Sequence, residues 1–159
     1  MRSTCLFLVG ILVGSAIPAV NGQQDRGPLA LDHVAIAVPD FDEGIKFYTK
    51  ALGIKEAFTF RDDRGTPFSY LQINRDTFLE LQPATPTRPV GLIHIGLEVA
   101  NVRAAGAFFK QNGLIVQDPA ESARTKALIS QATGQNGLAF ELLEFGPESL
   151  QRKMMNAWK

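Results

Sequence analysis

Leu31-Asp32-His33-Val34-Ala35-Ile36-Ala37-Val38 and Leu92-Ile93-His94-Ile95-Gly96-Leu97-Glu98-Val99 are one segment written twice, 61 positions apart. Phe78-Leu79-Glu80-Leu81 returns at the same shift as Ala139-Phe140-Glu141-Leu142. His33 and Glu80 are therefore 47 residues apart, and so are His94 and Glu141. The chain has 2 histidines, and both fall in the repeated segment. A repeat of this length marks two copies of one supersecondary unit. Two His and two Glu at matched places in paired copies are a suitable ligand set for one divalent metal ion.

The surrounding patterns give each copy the same order of elements. Residues 31–38 alternate as a strand that Pro39-Asp40 stops. Asp40 with Glu43 predicts a capping box. Phe41, Ile45, Tyr48 and Leu52 then form a helical apolar stripe, ended by Gly53. Residues 55–62, 67–73 and 76–83 read as strands broken by Asp63-Arg64-Gly65 and Asn74-Arg75-Asp76. After the extended bridge Pro83-Ala84-Thr85-Pro86-Thr87-Arg88-Pro89, the second copy runs strand 91–99 and a helix from Asn101 to Asn112 ended by Gly113. Strands are expected near 115–117, 125–132 and 138–145, with Gly134-Gln135-Asn136-Gly137 as the last turn. The fold class is α+β, with βαβββ units at 31–83 and 91–146 in one domain, 29–146. Residues 147–159 read as a closing helix or tail with Leu150, Met154 and Trp158 four apart.

Strand alternation decides whether the four candidate ligands can face one another. Val34, Ile36 and Val38 share one face of the first strand, while His33 shares the other with Ala35 and Ala37. Ile93, Ile95, Leu97 and Val99 likewise oppose His94, Gly96 and Glu98, and leucine or phenylalanine flanks Glu80 and Glu141. Each unit is expected to bury an aliphatic face under its own helix and to point its His and Glu the other way, among small residues. A lone strand histidine is usually a hydrogen-bonded structural residue. Two acid–histidine pairs at one repeated spacing are not lone, and carboxylates turned into a concave face cost several kcal/mol without a partner. Tyr70, Gln72 and Gln131 are expected to line the same groove as substrate-binding residues.

The N-terminal segment is set apart from this repeat. Arg2 precedes an apolar run from Cys5 to Ile17, broken by Pro18 and followed by Val20-Asn21-Gly22. Residues 1–22 read as a secretory signal peptide, which implies an exported, periplasmic or extracellular protein. The run is shorter than the roughly 20 apolar residues that span a bilayer, so no stable membrane anchor is expected. Removing it leaves 137 of the 159 residues, one domain's worth, with no cysteine. The remaining 15 basic and 16 acidic side chains nearly balance, which gives no footprint for nucleic acid. The partner implied is a small-molecule substrate.

The quoted segments, with Phe47-Tyr48-Thr49-Lys50-Ala51-Leu52-Gly53 at the first helix end, resemble the vicinal-oxygen-chelate superfamily over roughly Leu31 to Phe145. That family includes glyoxalase I, methylmalonyl-CoA epimerase, extradiol dioxygenases and fosfomycin- and bleomycin-resistance proteins. The resemblance implies a cupped, mostly antiparallel sheet around one metal site, with ligands from the first and last strand of each unit. His33, Glu80, His94 and Glu141 stand at those places. The metal would be one divalent ion: Ni, Zn, Co, Mn or Fe(II). A two-His, two-Glu set is similar to the glyoxalase I and epimerase branch, which implies isomerase or lyase chemistry, a proton transfer through a metal-stabilised enolate. Glu141 is then the first choice for the base and Glu80 the second. The alternatives are a non-haem iron ring-cleaving dioxygenase using His33, His94 and Glu141, and a non-catalytic binding module. The glutathione-holding arginine and asparagine of glyoxalase I are replaced here by Ala37 and Ala84. The epimerases' second catalytic glutamate has no counterpart in residues 67–73. With the expected export, these departures turn the reading away from glutathione adducts and acyl-CoA esters. The family forms its site within one chain or across a homodimer, and the sequence leaves both open.

Overall fold

The computed structural model describes residue 27 and residues 29–159. The expected signal peptide, 1–22, lies outside the described residues. Both copies fold into a single open sheet. The first supplies β1 (Leu29–Val38), a helix α1 (Phe41–Lys46) that continues as a π-turn over Phe47–Ala51, β2 (Lys55–Arg61), β3 (Pro67–Asn74) and β4 (Thr77–Pro83). The second supplies β5 (Gly91–Val99), α2 (Val102–Gln111), β6 (Ile115–Val116), β7 (Ala120–Glu121), β8 (Leu128–Thr133) and β9 (Ala139–Glu144), and α3 (Leu150–Asn156) closes the chain. The strand order is β2-β3-β4-β1-β5-β9-β8-β6, with β7 beside β8. Within each unit the first and last strands pair parallel, β1 with β4 and β5 with β9, and the other ladders are antiparallel. The two units meet where β1 pairs antiparallel with β5.

One face of the sheet lies under the helices, as the apolar alternation requires. Val38, Leu71 and Leu81 pack with Ile36, Phe41, Ile45 and Tyr48 beneath α1. Val99, Ala132 and Leu142 pack with Val102, Ala105 and Phe109 beneath α2. The opposite face carries the candidate ligands and a third cluster, in which Tyr70 and Phe78 meet Met155 of α3, flanked by Phe58 and Phe60. Among the described residues no helix is long and apolar enough to cross a membrane.

Local details differ from the sequence reading for identifiable reasons. Asp40 caps α1 by accepting from Glu43 N at 3.0 Å, but the Glu43 carboxylate takes Lys46 and does not return to complete a box. The π-turn, closed by Leu52 N donating to Phe47 O, adds a residue to the last turn. That extra residue shifts the helical phase, so Leu52 leaves the expected apolar stripe and is 56% exposed. The strand expected at 125–132 begins only at Leu128, as β8, after Lys126 at φ 59, and the short β7 at Ala120–Glu121, absent from the sequence reading, pairs beside it. α3 buries Gln151 and Met155, not the stripe of Leu150, Met154 and Trp158, because its inward face is set by Met155 seating on Tyr70 and Phe78.

Truncating Leu142, buried between β9 and α2, leaves a void whose surroundings relax only in part. Leu142→Ala is expected to lower unfolding free energy in urea by about 2–5 kcal/mol. Asn101→Ala, which removes only the cap accepting from Ala104 N at 2.9 Å, should cost about 1 kcal/mol. Comparable losses from the two would contradict this account of the core.

Candidate metal centre

The site grows out of the register of the four central strands. On β1 and β4, Ala35 lies beside Glu80; on β1 and β5, the same Ala35 lies beside His94. The neighbouring row pairs His33 with Gly96 and Gly96 with Glu141. Each row therefore reads ligand, small residue, ligand, and the two rows are related by the 61-residue repeat. The small residue is a necessity in the second row. A Cβ placed on Gly96 would lie 2.2 Å from His33 Cε1 and 2.3 Å from Nδ1, so the imidazole occupies the space that any side chain would fill.

All four residues converge within one chain. His33 Nε2 lies 2.8 Å from His94 Nε2. Glu80 Oε2 is 3.3 Å from the first nitrogen and 3.6 Å from the second. Glu141 Oε2 is 3.7 and 3.5 Å from the same two atoms. His33, His94 and Glu141 each present a ligand atom within 4.8 Å of the others. Donor atoms on one cation with bonds near 2.1 Å stand roughly 3.0–3.4 Å apart, and these separations bracket that range. Two imidazole nitrogens at 2.8 Å cannot both aim bare lone pairs at each other. A proton or a cation between them removes the repulsion, so the donor set fits a divalent ion.

The surrounding groups fix the donors. Asp32 Oδ2 accepts from His33 Nδ1 at 2.6 Å, which leaves Nε2 directed at the other ligands. Tyr70 Oη donates to Glu80 Oε2 at 2.8 Å, and Gln82 Nε2 donates to Glu80 Oε1 at 2.6 Å. Gln131 Nε2 donates to Glu141 Oε1 at 2.6 Å. Tyr70 and Gln131 each stand 10 residues before their glutamate, so they too belong to the repeat. Both reach the site as partners of the glutamates. Gln72 is not brought to the cluster, since its amide donates to Arg75 O at 3.0 Å in the adjoining turn. Asp32, Gln82 and Gly96 were not singled out from the sequence as site residues. The signal for Gly96 was its place opposite His33, which only the strand register reveals.

Charge balances around the imidazoles. Burial alone would lower the His33 pKa, but the hydrogen bond to Asp32 and the charges of Glu80, Asp32 and Glu141 outweigh it and raise it to about 9. Burial opposes ionisation of Glu80 too, yet His94, His33 and Tyr70 hold its pKa down at about 2. Burial raises Asp32 despite its bond to His33. Glu141 is the more open carboxylate, with its side chain 13% exposed against 3% for Glu80.

The comparisons with known proteins agree with the fold. The model of the Glyoxalase/Bleomycin resistance protein/Dioxygenase superfamily matches residues 30–142. A 2-epi-5-epi-valiolone epimerase from an Actinomyces species is 27% identical over 77 residues, 48% of this chain and 38% of that protein. The chain thus matches less than two-fifths of that relative's length. A variant methylmalonyl-CoA epimerase of Streptomyces coelicolor, solved with 2-nitronate-propionyl-CoA, superposes with a TM-score of 0.65 at 22% identity, covering 76% of this chain and 96% of that one. The methylmalonyl-CoA epimerase of Mycobacterium tuberculosis gives 0.64 at 22%, covering 74% and 88%. A hypothetical protein from Bacillus halodurans gives 0.64 at 24%, covering 74% and 95%. At these identities the structural likeness is one of fold.

Gly96→Ala must displace the His33 ring or the strand beneath it, and overpacking of this kind costs about 1–3 kcal/mol. Thermal melts should show that loss, and unchanged stability would refute the close approach. In metal-free protein, stability from the raised His33 pKa is fully present below about 6.5 and lost as pH rises through about 9. Stability from the depressed Glu80 pKa is present above about 4.5 and lost as pH falls toward about 2, partly offset by Asp32, whose shift has the opposite sign. The metal-free melting temperature should therefore peak between about pH 4.5 and 6.5 and decline on the alkaline side. A flat profile from pH 6 to 10 would count against a protonated His33.

Proposed function

The chain belongs to the Glyoxalase/Bleomycin resistance protein/Dioxygenase superfamily, and from that premise we propose that it is a metal-dependent enzyme of isomerase or lyase type. It moves a proton at the carbon beside a carbonyl in a small oxygenated molecule. The observation that carries this reading is the cluster of His33, His94 and Glu141 in a single chain, with Glu80 Oε2 3.3 and 3.6 Å from the two imidazoles. The epimerase relative supports isomerase chemistry over a part of the chain.

His33, Glu80, His94 and Glu141 would hold one divalent ion of the Ni, Zn, Co, Mn or Fe(II) group. When bound, the ion supplies Lewis acidity to a substrate carbonyl oxygen, which acidifies the neighbouring C–H. The protein's own groups then divide the work. Tyr70 and Gln82 hold both oxygens of Glu80, which suits a fixed ligand. Gln131 holds only Oε1 of Glu141 and leaves Oε2 toward the site, which suits the base that takes the proton and returns it. Asp32 keeps His33 oriented while substrate enters. The near-complete burial of the imidazoles limits water at the reacting carbon.

The dioxygenase reading requires Glu80 outside the ligand set, and the group mutually within 4.8 Å is His33, His94 and Glu141, but the 3.3 and 3.6 Å approaches of Glu80 Oε2 to the imidazoles favour the four-ligand reading. Residues 1–22, read as a signal peptide, make this an exported enzyme whose substrate is neither a glutathione adduct nor an acyl-CoA ester.

Reconstitution is expected to load one divalent ion per chain, measured by elemental analysis, and chelation should lower the melting temperature. Glu141→Gln should retain stoichiometric metal while abolishing exchange of carbon-bound protons with D2O in a panel of small α-hydroxyketones, followed by NMR. Glu80→Gln should keep more of that exchange, since its amide oxygen still coordinates. Absence of stoichiometric metal, or exchange that survives Glu141→Gln, would sink the proposal.

A further inference from the structure

α3 runs across the ligand-bearing face of the sheet and is fastened to both units. At its start Ser149 caps the helix, and Leu150 N donates to Thr125 O of the second unit at 2.9 Å. Arg152 pairs with Glu98 of β5 and stands 5.8 Å from the Phe145 ring centroid. One turn later Met155 packs on Tyr70 and Phe78 of the first unit, and the Tyr70 ring lies 5.4 Å from that of His33. Gln151 and Met155 share the inward face of the helix. Met155 is the expected residue for such a place, and Gln151 is not.

Gln151 is completely buried, and neither its Nε2 nor its Oε1 has a hydrogen-bond partner among the described residues. Such an amide, like Asp32 Oδ1, is satisfied only by a group that the described residues do not supply. Both losses are recovered when a ligand brings a group that accepts from Nε2 and donates to Oε1. A hydroxyl does both, and a carbonyl does the first.

We propose that Gln151 is a specificity-determining residue that reads a hydroxyl or carbonyl of the substrate beyond the oxygens held at the metal centre. The substrate class is then a polyoxygenated small molecule, with its chelating end at His33, Glu80, His94 and Glu141 and its polar tail under α3. This inference rests on the chelating function proposed above.

Gln151→Met keeps the side-chain length and removes both polar atoms. Zinc-loaded wild type and variant are titrated calorimetrically with three hydroxamates that share one chelating head: acetohydroxamate, glycolohydroxamate and 3-hydroxypropionohydroxamate. At least one hydroxyl-bearing probe should bind wild type about tenfold more tightly than acetohydroxamate, a difference of ~1.4 kcal/mol. In Gln151→Met that preference should vanish, with acetohydroxamate affinity changed by less than about twofold. The ligand-free variant should melt at or above the wild-type temperature, since a partnerless amide has been removed. A preference that is absent in wild type or survives in the variant overturns the inference. So does a variant that melts well below wild type, which is the mark of a structural amide. Failure of every hydroxamate to bind the loaded protein overturns the chelating reading, and the inference with it.

Discussion

The pairing of β1 with β5 is the constraint on which the rest depends. Its register sets His33 beside Gly96 and Ala35 beside His94, so each histidine faces a small residue on the strand of the other unit. Side chains alternate with period two, so a one-residue slip of either strand would turn its imidazole under the helices and bring its aliphatic neighbours to the site. The parallel ladders then add Glu80 beside Ala35 and Glu141 beside Gly96. Four strands thus deliver four candidate ligands without any loop having to position one, which is the precision a metal centre needs.

The same convergence is an electrostatic liability. Asp32, Glu80 and Glu141 gather around two imidazoles in a region shielded from water. Carboxylates are stable there only with positive charge nearby, which explains why His33 holds its proton to about pH 9 against the pull of burial. A divalent ion supplies more charge at the same place and competes with that proton. A donor set of this charge is one that a divalent cation would fit.

The two copies are alike in their His and Glu and different in several of the groups around them. Asp32 supports His33, whereas the equivalent place before His94 is Ile93. Glu80 is held through both oxygens and Glu141 through one. Aromatic residues and α3 fill the first unit's side of the site face. An ion pair between Asp63 and Arg124 joins the loops of the two units. Divergence of this kind leaves the repeated cluster with one fixed carboxylate and one more open one.

The sequence by itself determined the repeat, the βαβββ order and the four candidate ligands, because these rest on local periodicity and on a spacing that can be read along the chain. It also placed Tyr70 and Gln131 at the site, but as groups for a substrate; the structure gives their polar atoms to Glu80 and Glu141. Tertiary structure alone decided that the site closes within one chain, since that depends on which strand edge β5 joins. It alone showed why Gly96 must lack a side chain, because the atom that excludes one belongs to a residue 63 positions away on another strand. The inward face of α3 was misread from its Leu150, Met154 and Trp158 spacing for the same reason. A short helix takes its orientation from the surface that receives it, and here Tyr70 and Phe78 receive Met155 and bury Gln151 with it.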